Sequence, residues 1–182
     1  MSGHRRTLIK TNDADVVVLA VSVAENLPAD EIWISSGTGK HLRHLAAHEY
    51  TKKIGQQKAK ALPLFHAITG CDTVSCLGGK GKKTAWAVWN VYLALTNVLC
   101  RFMLMLEKVD DNFMAVAERS VVLLYYRSSA IVYVKQPRNL ENSPPTRAAV
   151  EKHTMCAVVQ GANIWYQVLL TQPVIPPPSA WG

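Results

Sequence analysis

The chain has no C-x-x-C pair, no H-E-x-x-H helix signature, no apolar leader and no unbroken apolar run of membrane length. Each absence removes a class. Four cysteines, Cys71, Cys76, Cys100 and Cys156, lack the spacing of a zinc ribbon or a redox pair and read as reduced, mostly buried thiols of an intracellular protein. The opening "MSGHRRTLIK" has basic residues without an h-region, so it does not read as a secretory leader. The most membrane-like stretch, Val88 to Leu106, is interrupted by Asn90, Asn97 and Arg101, which are costly in lipid, and it reads as a buried or groove-lining helix. Acids are also scarce: 13 Asp and Glu face 20 Lys and Arg, a net charge of +7 that suits a polyanionic partner without specifying one.

What remains is a chain of 182 residues, 49% hydrophobic and 18% charged, enough to bury one core with a tail and too apolar for general disorder. "RTLIKTNDADVVVLAVSVAE" places apolar runs on either side of an Asn-Asp turn, and "EIWISS" is a short β-rich run, so two or three buried strands are expected. The run "DVVVLAV" reads as a strand by its β-branched content. From His41 the pattern turns helical through "HLRHLAAHEYTKKI", with Gly55 as a C-cap, and a second helix runs from about Gln56 to Thr69, closed by Gly70. Helix is expected again from Lys83 to about Leu106, where Trp86, Trp89 and Tyr92 form a stripe suited to core packing, with base stacking as the rarer use. "VVLLYYRSSAIVYV", Val121 to Val134, fits strand or helix equally. In "NSPPT", Pro145 stands near the first helical position and Thr146 is a potential cap. "QPVIPPPSAWG" is an extended proline-rich tail, and no internal repeat is visible.

Two glycine-lysine segments invite a nucleotide reading, but the P-loop template fails in both. "ISSGTGKH" puts Ile34 and His41 where glycine and Ser/Thr are required, and "CLGGKGKK" puts Cys76 and Lys83 there. His41, His44 and His48 could bring two imidazoles to one helix face; such histidines are usually plain surface residues. His66, within an apolar stretch, reads as a buried, hydrogen-bonded histidine. Cys71 has no His/Asn signature that would make it a nucleophile. Arg101, Lys108, Arg119 and Arg127 are scattered and read as solvated charges.

Three aspartates carry the chemical signal. Asp13 and Asp15 form an acid-x-acid pair at a turn, where carboxylates could take a hard divalent ion, although an aspartate there more often caps a turn or helix. Asp72, in "ITGCDTVS", ends an apolar helix where an acid has no packing role; it could also be an N-cap. "GGKGKKTAW" then supplies Gly78, Gly79 and Gly81 for tight turns, Lys80, Lys82 and Lys83 for charge, and a helix N-terminus suited to phosphate.

Taken in order, "NDAD" (Asn12 to Asp15), "GCD" (Gly70 to Asp72) and "GGKGKKTA" (Gly78 to Ala85) resemble the flap-endonuclease-like branch of the PIN-like nucleases. In that branch a D-x-D pair ends a strand, a GCD follows a helix pair, and a helix-hairpin-helix type glycine hairpin comes next. Over nearly its whole length the chain is also similar to a group of animal proteins linked to mobile elements. The resemblance implies an α/β fold, a partial PIN-like domain over residues 1–90, a helical extension over 91–170 and a proline-rich tail over 171–182. It implies Asp13, Asp15 and Asp72 as catalytic ligands of Mg²⁺ or Mn²⁺ and a water-activating role for two such ions in phosphodiester hydrolysis. Gly79, Lys80, Gly81, Lys82 and Lys83 would hold a nucleic-acid backbone, DNA more than RNA, with K⁺ at the hairpin, in an intracellular and nuclear setting. Such contacts position a strand and read no sequence. The family also has acidic ligands upstream of the D-x-D pair, which implies that this chain corresponds to the C-terminal half of a domain. It would be incomplete as a catalyst unless another chain or segment supplied the rest, and a non-catalytic nucleic-acid-binding module or a structural remnant is the alternative.

Overall fold

The computed structural model describes residues 5–105, 110–126, 144–165 and 167. The order is β1 (Arg6–Lys10), α1 (Ala14–Val23), β2 (Glu31–Ser36), a 3-10 turn (Gly39–His41), β3 (Arg43–Ala46), α2 (Ala47–Ile54), α3 (Gln56–Ile68), α4 (Lys82–Val91), α5 (Ala94–Met105), α6 (Asp111–Tyr125) and α7 (Arg147–Val158), which runs into a π-helical turn at Val159–Ile164. The class is mixed α/β. β1 and β2 are parallel, joined by α1 as a crossover, and β3 adds antiparallel on the far side of β2.

The Asn-Asp turn therefore leads into a helix and not into a second strand. Asp13 caps it, accepting from the Asp15 N–H at 2.8 Å, and a parallel strand pair needs a crossover that β-branched valines can supply when one face is buried. That face lies on β2, where Ile32 and Ile34 are fully enclosed with Ala20 and Val21 of α1 and Ala47 of α2. β1 is one of the two edge strands, and Leu8 on it is 64% exposed.

The stretch from His41, expected as one helix, divides into β3 and α2 because Arg43 to Ala46 pair with Trp33 to Ser36. His44 consequently sits on a strand, opposite Ser35. His48 sits on α2, with its Nδ1 accepting from the Ile32 N–H at 3.1 Å and its ring edge-on to Trp33. No shared histidine face exists for a metal. Gly55 does end α2, at φ 85°, and α3 closes at Thr69 with Gly70 at φ 98°. The expected long helix from Lys83 is two, broken at Tyr92 and Leu93, and the Trp89 Nε1–H bridges the break to Thr96 Oγ1 at 2.9 Å.

A second, larger core lies among α3 to α7. Trp89 stacks on Phe65 at 4.2 Å, with Trp86 edge-on to both, so the tryptophan stripe is core packing. This cluster takes residues from both sides of position 90. Arg101 is ion-paired with Asp110 at 2.6 Å, not merely solvated, and Asp110 caps α6 through the Phe113 N–H. Val121 to Tyr125 belong to α6, and Thr146 caps α7 with Pro145 just outside it. The segment 127–134, the tail 171–182 and Lys108 lie outside the described residues. All four cysteines are free; Cys76 and Cys156 are exposed and Cys71 and Cys100 half-buried, so the thiols are more open than expected. Among the described residues no helix is long and apolar enough to cross a membrane.

Close approach fixes one glycine. A Cβ on Gly161 would stand 2.7 Å from the Leu64 Cα, so α3 and the final π-turn can touch only without a side chain there. Gly161→Ala is expected to lower unfolding free energy by about 1–3 kcal/mol in urea titration. Gly81→Ala, where a Cβ meets nothing within 4 Å, is expected to stay within about 0.5 kcal/mol.

Candidate functional site

The chain leaves β1 at its carboxyl end, the place where open α/β sheets form ligand crevices. Thr11 N donates to Ser35 O at 2.9 Å, and the Asn12 side chain accepts from Gly37 N at 2.7 Å, so this exit is tied to the end of β2. Beyond the tie, a cleft of about 650 Å³ opens, and Asp13, Asp15 and Asp72 all line it together with His66 and Lys82. Residues up to 69 positions apart in sequence are thus gathered at one mouth, a juxtaposition made by α3 packing on α1.

Each acid has a distinct setting. Asp13 is exposed and spends one oxygen on the α1 cap. Asp15, in the first turn of α1, is half-buried, and its Oδ1 lies 2.8 Å from His66 Nε2. The imidazole is enclosed, its side chain 8% exposed. Burial holds the His66 pKa below its ordinary value, the nearby Lys82 charge acts the same way, and the Asp15 hydrogen bond opposes them. A neutral ring with its proton on Nε2 satisfies that carboxylate. The sequence expectation of a buried, hydrogen-bonded His66 is met, and its partner is one of the three aspartates. Asp72 is exposed in an irregular loop; no helix begins after it until Lys82, so it is not an N-cap.

That loop is sharply folded. Gly70 has φ 98°, and a Cβ on it would stand 2.7 Å from Cys76 Cβ and 2.9 Å from Cys76 Cα, so the chain can double back only at glycine. Val74 and Leu77 are buried and anchor it from beneath.

The hairpin lysines divide by role. Lys82 turns inward: its Nζ donates to His66 O at 3.1 Å, to Thr69 Oγ1 at 3.2 Å and to Gly70 O. A cation there meets the orphan carbonyls and negative end of α3. Lys80 lies over the Tyr125 ring at 4.6 Å, while the Tyr125 hydroxyl donates to Gly78 O at 3.1 Å. Lys83 is exposed on the first turn of α4. Gly79, at φ 66°, and Gly81 have nothing within 4 Å of a Cβ and face open space. Gly81 caps α4 without a side-chain bond, its carbonyl accepting from the Thr84 N–H at 3.0 Å and the Ala85 N–H at 3.2 Å. The inward Lys82 and the His66–Asp15 pair were outside the reach of sequence reasoning, since neither has a local signature.

The three carboxylates suit a hard divalent cation in donor type. Their spacing is another matter: among the described residues no three of His, Cys, Asp or Glu converge closely enough to hold a metal ion. Comparison of the chain with protein-family models, with curated proteins and with solved structures finds no match.

Two outcomes test this geometry. An imidazole whose pKa is depressed on folding accepts its proton first in the unfolded chain as pH falls, so its contribution is complete above its ordinary value of 6.5 and is lost below it. In metal-free buffer, stability should drop as pH falls below about 6.5, and His66→Gln should flatten that part of the profile in thermal melts. Lys82→Met should cost about 1–3 kcal/mol by removing charge-assisted bonds to carbonyls, and Lys83→Met under about 0.5 kcal/mol.

Proposed function

We propose that the chain is a PIN-like, flap-endonuclease-like unit that engages the phosphodiester backbone of nucleic acid, DNA in preference to RNA. The observation that carries this reading is the arrival of Asp13, Asp15 and Asp72 at one cleft beside the outward face of a glycine-lysine hairpin. In this reading Gly79, Gly81 and the α4 N-terminus approach phosphate, and Lys83 adds charge from the first turn. Lys82 acts indirectly, by fixing the hairpin on α3. To take Mg²⁺ or Mn²⁺, Asp13, Asp15 and Asp72 would have to draw closer together than they stand here.

A second reading is binding without cleavage. It is favoured by the spacing of the carboxylates and by the prior commitment of Asp13 to a cap and Asp15 to His66. Both readings share the hairpin and part at the metal.

Fluorescent branched and single-stranded DNA, offered with Mg²⁺ or Mn²⁺ to the parent and to an Asp13→Ala/Asp72→Ala double variant, separates them. The nuclease reading expects cleavage by the parent that falls to background in the variant. The binding reading expects equal, salt-sensitive binding by both and no cleavage. Lys83→Ala should weaken binding on all sequences and reduce the salt slope by about 1. A parent that neither cuts nor binds at low salt would refute both.

A further inference from the structure

Further along α1 and α3 from the acidic cleft lies a groove of about 600 Å³. We propose that it is a binding site for an organic anion with an apolar body, a medium-chain aliphatic carboxylate, whose head group pairs with Lys58. The proposal does not rest on the nuclease reading.

The lining sets the chemistry. Val17, Val18 and Val21 of α1, Leu45 of β3, Ile54 of α2 and Leu62 of α3 make the walls, and Trp86 closes one side. Among the described residues the charged ones in the lining are both lysines, Lys53 and Lys58, and no carboxylate lines the groove. The volume lies in the range of small-molecule sites, roughly 300–1,000 Å³.

Lys58 is the anchor because its described partners are all neutral. Its Nζ donates to Asn90 Oδ1 at 2.6 Å and lies 5.5 Å and 5.3 Å from the Trp86 and Trp89 ring centroids. Among the described residues no carboxylate pairs with it. Burial pushes its pKa below the ordinary lysine value, the direction expected of a cation removed from water without a counter-charge. An anionic head would supply that charge, and the indole faces would flank the ammonium. A phosphate backbone could meet the lysines, yet it would leave the aliphatic walls without an apolar partner. A methylene chain uses both.

Calorimetry on the full chain with decanoate, below its micelle concentration, tests this against decyltrimethylammonium, which has the same tail and the opposite charge. Saturable one-to-one binding is expected, with decanoate at least about tenfold tighter than the cation. Affinity should rise up to about fourfold per added methylene from octanoate to dodecanoate. Lys58→Met keeps the stem and should weaken decanoate about tenfold or more, while Val18→Trp should fill the groove and abolish binding; thermal melts establish that both variants fold. Equal binding of the two ions, unchanged binding in both variants, or no binding by the parent would overturn the proposal. Oligodeoxythymidine bound here and lost in Val18→Trp, with no decanoate signal, would overturn it in favour of a nucleic-acid occupant.

Discussion

Burial of α3 on several sides at once is the constraint on which the remaining architecture rests. It packs on α1 and α2 toward the sheet, on α5 and α7 toward the helical layer, and on the closing π-turn. Ala61, Leu64 and Ala67 are fully enclosed, and Leu62 touches both apolar clusters. A helix so placed has little room for large side chains where neighbours come near, which is why Gly161 meets it at Leu64. Pro63 is tolerated inside it, fully buried, although it removes one ladder hydrogen bond. The sheet is small, and its central strand is covered mainly because α1 and α2 are held in place from behind.

The same helix builds the acidic cleft. His66 projects from its last turns to meet Asp15, and its C-terminal carbonyls receive Lys82. One element thereby sets the position of an acid on α1 and the start of α4. Four and eight residues before His66, Leu62 and Lys58 line the apolar groove. Acidic cleft and apolar groove are therefore successive sites along one helix, distinguished by which turn of α3 supplies each.

Features fixed by local chemistry were legible in the sequence: the glycines ending α2 and α3, the threonine cap of α7, and Asp13 as a capping residue. Those settled by distant partners were not. "HLRHLAAHEY" has a helical period throughout, and only pairing with β2 makes its first part a strand. "DVVVLAV" has strand propensity, overridden because β1 and β2 are parallel and need a crossover. Asp15 and His66 stand 51 residues apart, and nothing near either names the other. A lysine beside glycines reads as solvated, and Lys82 turns inward because the negative end of α3 lies within its reach. Sequence order brought the three aspartates under suspicion together; packing brought them to one cleft while leaving them short of convergence.

The turn between Gly70 and Lys82 is pinned from both directions, by Lys82 on the end of α3 and by Tyr125 of α6 on Gly78. A loop held in this way has already given up most of its conformational freedom, so a ligand settling on its outer face loses little entropy in ordering it. Because one of the two pins belongs to α6, a displacement of the turn would disturb the Tyr125 bond to Gly78, and occupancy at the hairpin would be readable as a change in the surroundings of Tyr125.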